Sequence, residues 1–262
     1  MLDLDLLYRV RGLKVLFPDE RGLIRAVEGV DLDIPRGKCV ALVGESGCGK
    51  SVTSLALMKL LPVPPAIVSV DEMTFKGVDI TGYSDRQMED VRGNRMAMIF
   101  QDPMTSLNPV MSVGRQIDEV LIRHKKVQRE DARGRSIDLL KKVGVPAPEK
   151  RYHDFPHQIS GGMRQRVLIA MAFACEPDLL IADEPTTALD VTIQAQIIDL
   201  IRELTEQQDM SILLITHDLS VVANMADIVY VMYSGKIVEQ AGKRDLFTQP
   251  HHPYTQGLLS SV

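Results

Sequence analysis

The stretch Gly44-Glu-Ser-Gly-Cys-Gly-Lys-Ser51 has the composition of a phosphate cradle. Its glycines let backbone amides wrap phosphate oxygens without Cβ clashes, and residues 52–61 beyond it have helical spacing, so a helix N-terminus adds partial positive charge. A GxxxxGK[ST] pattern between an apolar run and a helix defines a phosphate loop. The expected nucleotide contacts are Gly44, Glu45, Ser46, Gly47, Cys48, Gly49, Lys50, Ser51 and Val52, with the Lys50 ammonium on the β- and γ-phosphates and the Ser51 hydroxyl on Mg²⁺. A glycine-rich turn can be purely structural, but a Lys-Ser pair in register argues against that. A second stretch, Leu179-Leu-Ile-Ala-Asp183-Glu184, is an apolar run ending in two acids. Ligands of open α/β sheets bind at strand ends, which suits Asp183 to hold Mg²⁺ and Glu184 to polarise an attacking water. Two acids after a strand are by themselves more often an ordinary helix entry; the phosphate loop upstream reverses that balance.

The elements that position these groups are legible as alternating strands and helices. Cys39-Val-Ala-Leu-Val43 is apolar throughout, as a strand covered on both faces of a parallel sheet should be. Residues 25–34 alternate over their second half, like a half-buried strand, and end at the turn Pro35-Arg36-Gly37. Further β-type runs lie at 96–100, 179–182, 211–216 and 228–232, separated by helical patterns such as 193–207, and the alternation predicts an α/β core. From about 102 to 175 the apolar residues recur at helical spacing among many charges, which predicts a helical insertion. Prolines at 62–65 and 144–148 punctuate as loops, and no internal repeat is present. The expected organisation is one domain over 1–262, with 1–101 and 176–262 forming the core and 102–175 inserted.

Shortly before the acidic strand lies Ile159-Ser-Gly-Gly-Met-Arg-Gln-Arg166. In order, the chain carries the phosphate loop, Gln101 after a strand, Ser160-Gly161-Gly162, Asp183-Glu184, Ala188-Leu-Asp190 and His217. This order closely resembles the nucleotide-binding subunits of ABC transporters over essentially the whole chain. There the same positions are the phosphate loop, Q-loop, signature, magnesium strand, D-loop and switch histidine. The resemblance implies a P-loop NTPase (RecA-like) core with an antiparallel β subdomain and an inserted α-helical subdomain, using ATP and Mg²⁺. It also implies two cassettes that sandwich two ATP molecules head to tail, each site pairing one subunit's phosphate loop with the other's signature. Ser160 can cap a helix there, and Gly161 and Gly162 permit close backbone approach. Ile159 and Met163 replace the usual leucine and glutamine of the signature. A glutamine after a strand is ordinarily a solvated loop residue, and a lone histidine at a strand end ordinarily caps backbone. The family order overrides both: Gln101 would sense Mg²⁺ and the attacking water, His217 would hydrogen-bond the γ-phosphate, and Asp190 would position groups across the dimer. Phe17 is the expected adenine-stacking residue, in a loop lengthened by residues 18–22, with Tyr8 as the second candidate.

Three stretches look like the oligopeptide, dipeptide and related nickel importers of bacteria: Gln101-Asp-Pro-Met-Thr-Ser-Leu-Asn-Pro109, Asp183-Glu-Pro-Thr-Thr-Ala-Leu-Asp-Val191 and His252-Pro-Tyr-Thr-Gln-Gly-Leu-Leu259. The resemblance implies a second ABC ATPase subunit, two transmembrane permease subunits and, indirectly, an extracytoplasmic solute-binding protein. The expected location is the cytoplasmic face of the plasma membrane. Many such proteins continue into a cysteine-bearing tail that can hold an iron–sulfur cluster; here no cluster is expected. The composition agrees. With 45% hydrophobic residues the chain can bury a core, and its net charge of −5 offers no basic field for nucleic acid. The longest apolar runs fall far short of the roughly 20 residues of a spanning helix, and the N-terminus lacks a signal-peptide pattern, so a soluble cytosolic chain is expected. Three scattered cysteines support neither a disulfide framework nor a metal knuckle. ABC ATPases of DNA repair carry long coiled coils or zinc modules and ribosomal ones carry two cassettes, features not found here. A nucleotide sensor without hydrolysis would be favoured by loss of Glu184 or His217, and both are present.

Overall fold

The computed structural model describes residues 5–20, 22–187 and 189–260. The chain forms two compact units, Met1–Met88 with Asp209–Val262, and Glu89–Gln208. The first opens with two long strands, β1 (Leu6–Asp19) and β2 (Gly22–Pro35), which pair antiparallel from Asp19↔Gly22 to Leu6↔Pro35. Val10, Leu13 and Val15 on β1 and Val27, Val30, Leu32 and Ile34 on β2 are buried, the β-branched residues packing on one pleated face. Phe17 therefore lies in a strand, opposite Ile24, and not in the loop expected around it. Leu16-Phe17 and Leu23-Ile24 are strand formers, and pairing across the short turn extends the ladder to its tip. β3 (Cys39–Val43) is wholly buried and leads through the glycine-rich loop into α1 (Lys50–Leu57). That helix ends before residue 61 because Lys59 adopts a left-handed φ of 50°. β4 (Ile67–Ser69) and β5 (Glu72–Phe75) add antiparallel to β1, and β6 (Val78–Asp79) adds to β5, completing the antiparallel sheet implied by the resemblance. The chain leaves this unit within α2 (Asp85–Val91).

In the second unit β7 (Met96–Ile99) pairs parallel with β8 (Leu179–Asp183), from Met96↔Leu179 to Ile99↔Ala182. Between them run α3 (Pro103–Ser106), α4 (Val113–Lys125), α5 (Arg129–Lys142), α6 (Pro148–Arg151), a 3₁₀ turn at Pro156–Gln158, and α7 (Gly161–Phe173). Burial of Val113, Ile117 and Leu121 on α4, and of Ala132, Ser136 and Leu140 on α5, places one residue per helical turn on each inner stripe. The Asp118 carboxylate ties three elements together by accepting from the Ser136 hydroxyl at 2.6 Å and from the Tyr152 hydroxyl. Helix α7 buries Val167, Leu168, Ile169 and Ala170 in succession, so it is covered nearly all round. The unit closes with α8 (Val191–Gln207), whose Ile197, Ile198, Ile201 and Leu204 face inward.

Back in the first unit, β9 (Ser211–Thr216) lies parallel to β3 on one side, and β10 (Ile228–Tyr233) lies parallel on the other. α9 (Leu219–Met225) joins them, its first amides capped by the Asp218 carboxylate. β11 (Lys236–Gly242) runs antiparallel to β10 and is followed by α10 (Lys243–Thr248) and α11 (Pro253–Ser260). Ala41, Val43, Val222, Val229, Val231 and Leu246 form the core here, with Phe247, Leu258 and Leu259 packed over it. Each fully buried valine or leucine of this core contributes about 1.5–3 kcal/mol. Among the described residues no helix is long and apolar enough to cross a membrane.

Candidate functional site

The buried strand β3 delivers the glycine-rich loop to the N-terminus of α1, where unpaired amides and the helix dipole favour an anion. Gly49 takes a φ of 109°, and a Cβ there would lie 2.4 Å from the Ala26 carbonyl oxygen. The loop thus runs hard against β2, and it is tied to the β10–β11 turn by a bond from the Gly235 amide to the Cys48 carbonyl, at 2.9 Å. Lys50 is only 4% exposed. Its ammonium donates to the carbonyls of Gly44 at 2.7 Å and Glu45 at 2.8 Å. A buried ammonium is costly unless hydrogen-bonded, and these neutral acceptors are weaker partners than phosphate oxygens. The loop therefore holds a positive charge ready for an anionic ligand. Burial pushes the Cys48 thiol up, against the opposing pull of Lys50, which keeps it protonated and unsuited to nucleophilic work. Ser51 and Val52 follow as half-buried residues on the first turn of α1, and Ser46 and Gly47 stand exposed on the loop's outer side. His217, exposed, follows the end of β9.

In the second unit, β7 and β8 end side by side, and the residues just past their C-termini meet. Glu184 Oε2 accepts from Gln101 Nε2 at 2.9 Å and from the Thr187 hydroxyl at 2.9 Å. Asp183 is the last residue of β8 and is 4% exposed. Glu184 turns away from the strand with a φ of 45°, a left-handed conformation that side-chain-bearing residues adopt at a cost of roughly 1–2 kcal/mol. Strain of this kind, held in place by surrounding bonds, gathers at functional positions. The motif order names Gln101 and Glu184; the structure joins them directly. Thr187 was not singled out, although it lies inside the Asp183-to-Val191 stretch.

Ser160 caps α7, its hydroxyl accepting from the Met163 amide at 3.3 Å, and Ser160 and Gly161 are exposed. Gly162, half-buried, would bring a Cβ to 3.1 Å from Ile193 Cγ2. Asp190 stands exposed at the N-cap position of α8 without capping it; the turn before it is held by Gln194, which donates to the carbonyls of Thr186 and Leu189. Ala188 of that stretch lies outside the described residues. Phe17 is half-buried on β1. A surface hollow of about 580 Å³ is lined by Lys14, Leu16, Leu23, Arg25, Val27 and Glu28; Phe17, next to Leu16, alternates away from it. Tyr8 is completely buried and donates its hydroxyl to the Leu57 carbonyl at 2.9 Å, so it stacks on no ligand. One contact was not anticipated: the Glu45 amide of the phosphate loop donates to the Tyr254 hydroxyl at 3.0 Å.

A glycine-rich loop that joins a buried strand of a parallel sheet to a helix N-terminus defines a P-loop nucleoside triphosphatase. The chain belongs to the ABC transporter family, whose model matches residues 27–187; the model of the oligopeptide/dipeptide transporter C-terminal region matches 238–262. It is an ATP-binding cassette with the ATPase fold. The oligopeptide transport ATP-binding protein OppD of Bacillus subtilis is 54% identical over 262 residues, covering 100% of this chain and 73% of that protein. The dipeptide transport ATP-binding protein DppD of Escherichia coli is 50% identical over 256 residues, covering 98% of this chain and 78% of that one. Among solved structures, the ATP-binding cassette MJ0796, as a dimer in a post-hydrolysis state bound to ADP and Pi, superposes with a TM-score of 0.79 at 24% identity, covering 90% of this chain and 99% of that one.

Proposed function

We propose that this chain is the ATP-hydrolysing motor subunit of a bacterial importer for oligopeptides or dipeptides, working at the cytoplasmic face of the membrane. The relatives' names and the C-terminal family match support the substrate class. A nickel or other-solute importer is the second reading, which rests on the resemblance of residues 101–109, 183–191 and 252–259 alone. The observation that carries hydrolysis is the Glu184 carboxylate, turned out of its strand and clasped by Gln101 and Thr187.

In this reading Lys50 exchanges its two loop carbonyls for β- and γ-phosphate oxygens, and the loop amides beyond Glu45 wrap the phosphates. Phe17 stacks on adenine. The Ser51 hydroxyl, the Asp183 carboxylate and the Gln101 amide oxygen are hard oxygen donors of the kind Mg²⁺ takes alongside nucleotide phosphates. When bound, Mg²⁺ neutralises charge on the transferring phosphoryl group. Glu184 orients and polarises the attacking water, while Gln101 and Thr187 keep its carboxylate aimed. His217 donates to the γ-phosphate. Ser160, Gly161 and Gly162 at the start of α7 face the γ-phosphate held by a second cassette, and Asp190 positions groups across that dimer. ATP favours the closed dimer because each nucleotide adds contact surface to the partner. Closure moves the helical residues 102–175 and, through 101–120, switches two permease subunits fed by a solute-binding protein; hydrolysis resets them.

The test is Mg²⁺-ATP hydrolysis at rising concentration of the full chain, alone and with a candidate partner cassette. Turnover should rise more steeply than protein concentration. Glu184→Gln should lower it by roughly 10²- to 10⁴-fold while ATP binding persists. Unchanged turnover in that variant would remove Glu184 from catalysis. Peptide uptake by cells carrying the variant, compared with nickel uptake, separates the two substrate readings.

A further inference from the structure

The stretch His252-Pro-Tyr-Thr has no part in the nucleotide chemistry described above, yet it touches the phosphate loop. The Gly44–Glu45 peptide is gripped on both sides: its carbonyl accepts from Lys50 Nζ at 2.7 Å, and its N–H donates to the Tyr254 hydroxyl at 3.0 Å. Tyr254 is itself fixed from several directions. Its ring packs on Tyr233 at a centroid distance of 4.5 Å, and its own amide donates to His252 Nδ1 at 3.1 Å. The Glu239 carboxylate, 9% exposed, accepts from the amides of His251 at 2.8 Å and His252 at 3.0 Å. Leu258 and Leu259 of α11 seat the same segment on the core beside β3 and β10. A carboxylate this buried holds two successive amides in one arrangement, so the placement of Tyr254 is over-determined.

We propose that Tyr254 is a positioning residue for nucleotide binding: its hydroxyl holds the Gly44–Glu45 peptide, and with it the start of the phosphate loop, in place once Lys50 turns from that peptide to the phosphates. The proposal rests on the reading of the loop as an ATP site. Before ATP enters, the peptide has two anchors. Afterwards the Lys50 anchor is given up, and the tyrosine is the one that stays. The C-terminal segment, through Glu239 and α11, becomes part of the nucleotide site without touching nucleotide.

Tyr254→Phe keeps the ring on Tyr233 and deletes only the hydroxyl. In the full chain we expect a fluorescent ATP analogue to bind about three- to tenfold more weakly, the range of one hydrogen bond. KM for ATP should rise by a similar factor with kcat within about twofold, as for lost ground-state binding. Amide exchange at Glu45 should accelerate while the amides of α11 keep their protection, a combination that a general loosening of the C-terminal segment would not produce. Glu239→Ala, which frees the segment from its other end, should move affinity and Glu45 exchange in the same direction. Equal affinity and equal Glu45 exchange in Tyr254→Phe and the unaltered chain would overturn the proposal and leave the ATP reading intact. Failure of the unaltered chain to bind the analogue would overturn that reading and the proposal with it.

Discussion

Gly49→Ala and Gly47→Ala place the same methyl group two residues apart on one loop, at a buried and an exposed position. Both glycines have positive φ, 109° and 81°, so either alanine carries backbone strain of about 1–3 kcal/mol. At Gly47 the added Cβ meets nothing within 4 Å. At Gly49 it would sit 2.4 Å from the Ala26 carbonyl oxygen and 3.0 Å from Met232 Cε, and the first of these is a backbone atom of β2, which can give way only by moving the chain between the pairs Val15↔Val27 and Leu16↔Arg25. Overpacking of this sort costs a further ~1–3 kcal/mol. Gly49→Ala should therefore melt roughly 2–12 °C below Gly47→Ala, taking about 2–4 °C per kcal/mol for a chain of this size. Thermal unfolding followed by circular dichroism, without nucleotide, isolates the packing term because ligand stabilisation is absent. Melting of the two variants within about 1 °C of each other would refute the contact between loop and β2 as the reason for a glycine at 49.

Lys50→Ala deletes the charge held ready by the Gly44 and Glu45 carbonyls, and binding of a fluorescent ATP analogue should weaken by about 10- to 100-fold, the range for charged hydrogen bonds. Ser160→Ala removes the cap of α7 and should cost about 1 kcal/mol in denaturant unfolding, while hydrolysis by the dimer falls and nucleotide binding by the lone chain does not. Burial opposes ionisation of Glu239, but the amides of His251 and His252 outweigh it and hold this carboxyl below the usual glutamate range. Its contribution to stability is thus fully present above the unfolded pKa of about 4.3 and is lost as pH falls through the lower folded value. Exchange protection of residues 251–260 should stay level from about pH 7 to 5 and decay below about 4; Glu239→Gln should flatten that acid dependence.

How much of this was legible depended on the kind of signal. The run from Cys39 to Val43 and the loop after it announce themselves, because a doubly buried strand must be apolar throughout and a phosphate loop must be glycine-rich. The stripes of α4 and α5 show for the same reason. β1 hides because Arg9, Arg11 and Lys14 interrupt its apolar residues and its register shifts blur the alternation. β4, β5 and β6 are two to four residues long, too short for any periodicity, and exist because β1 offers a ladder to join. At the site, the motif order identified Gln101 and Glu184 separately. Their contact needed the parallel register of β7 against β8, which neither strand encodes alone. Thr187 and Tyr254 lie within 183–191 and 252–259, but hydroxyl-bearing residues are too common for their type to reveal that one clasps a carboxylate and the other a loop amide.

The left-handed backbone at Glu184 sets two kinds of selection against each other. Glycine adopts that conformation without strain, so a library of this chain ranked on heat resistance alone should drift toward glycine at 184. The same library ranked on turnover should return to glutamate. Natural chains carry such residues wherever chemistry outweighs folding. Sequencing both outcomes would sort the positions of this protein into those kept because the fold needs them and those kept in spite of it.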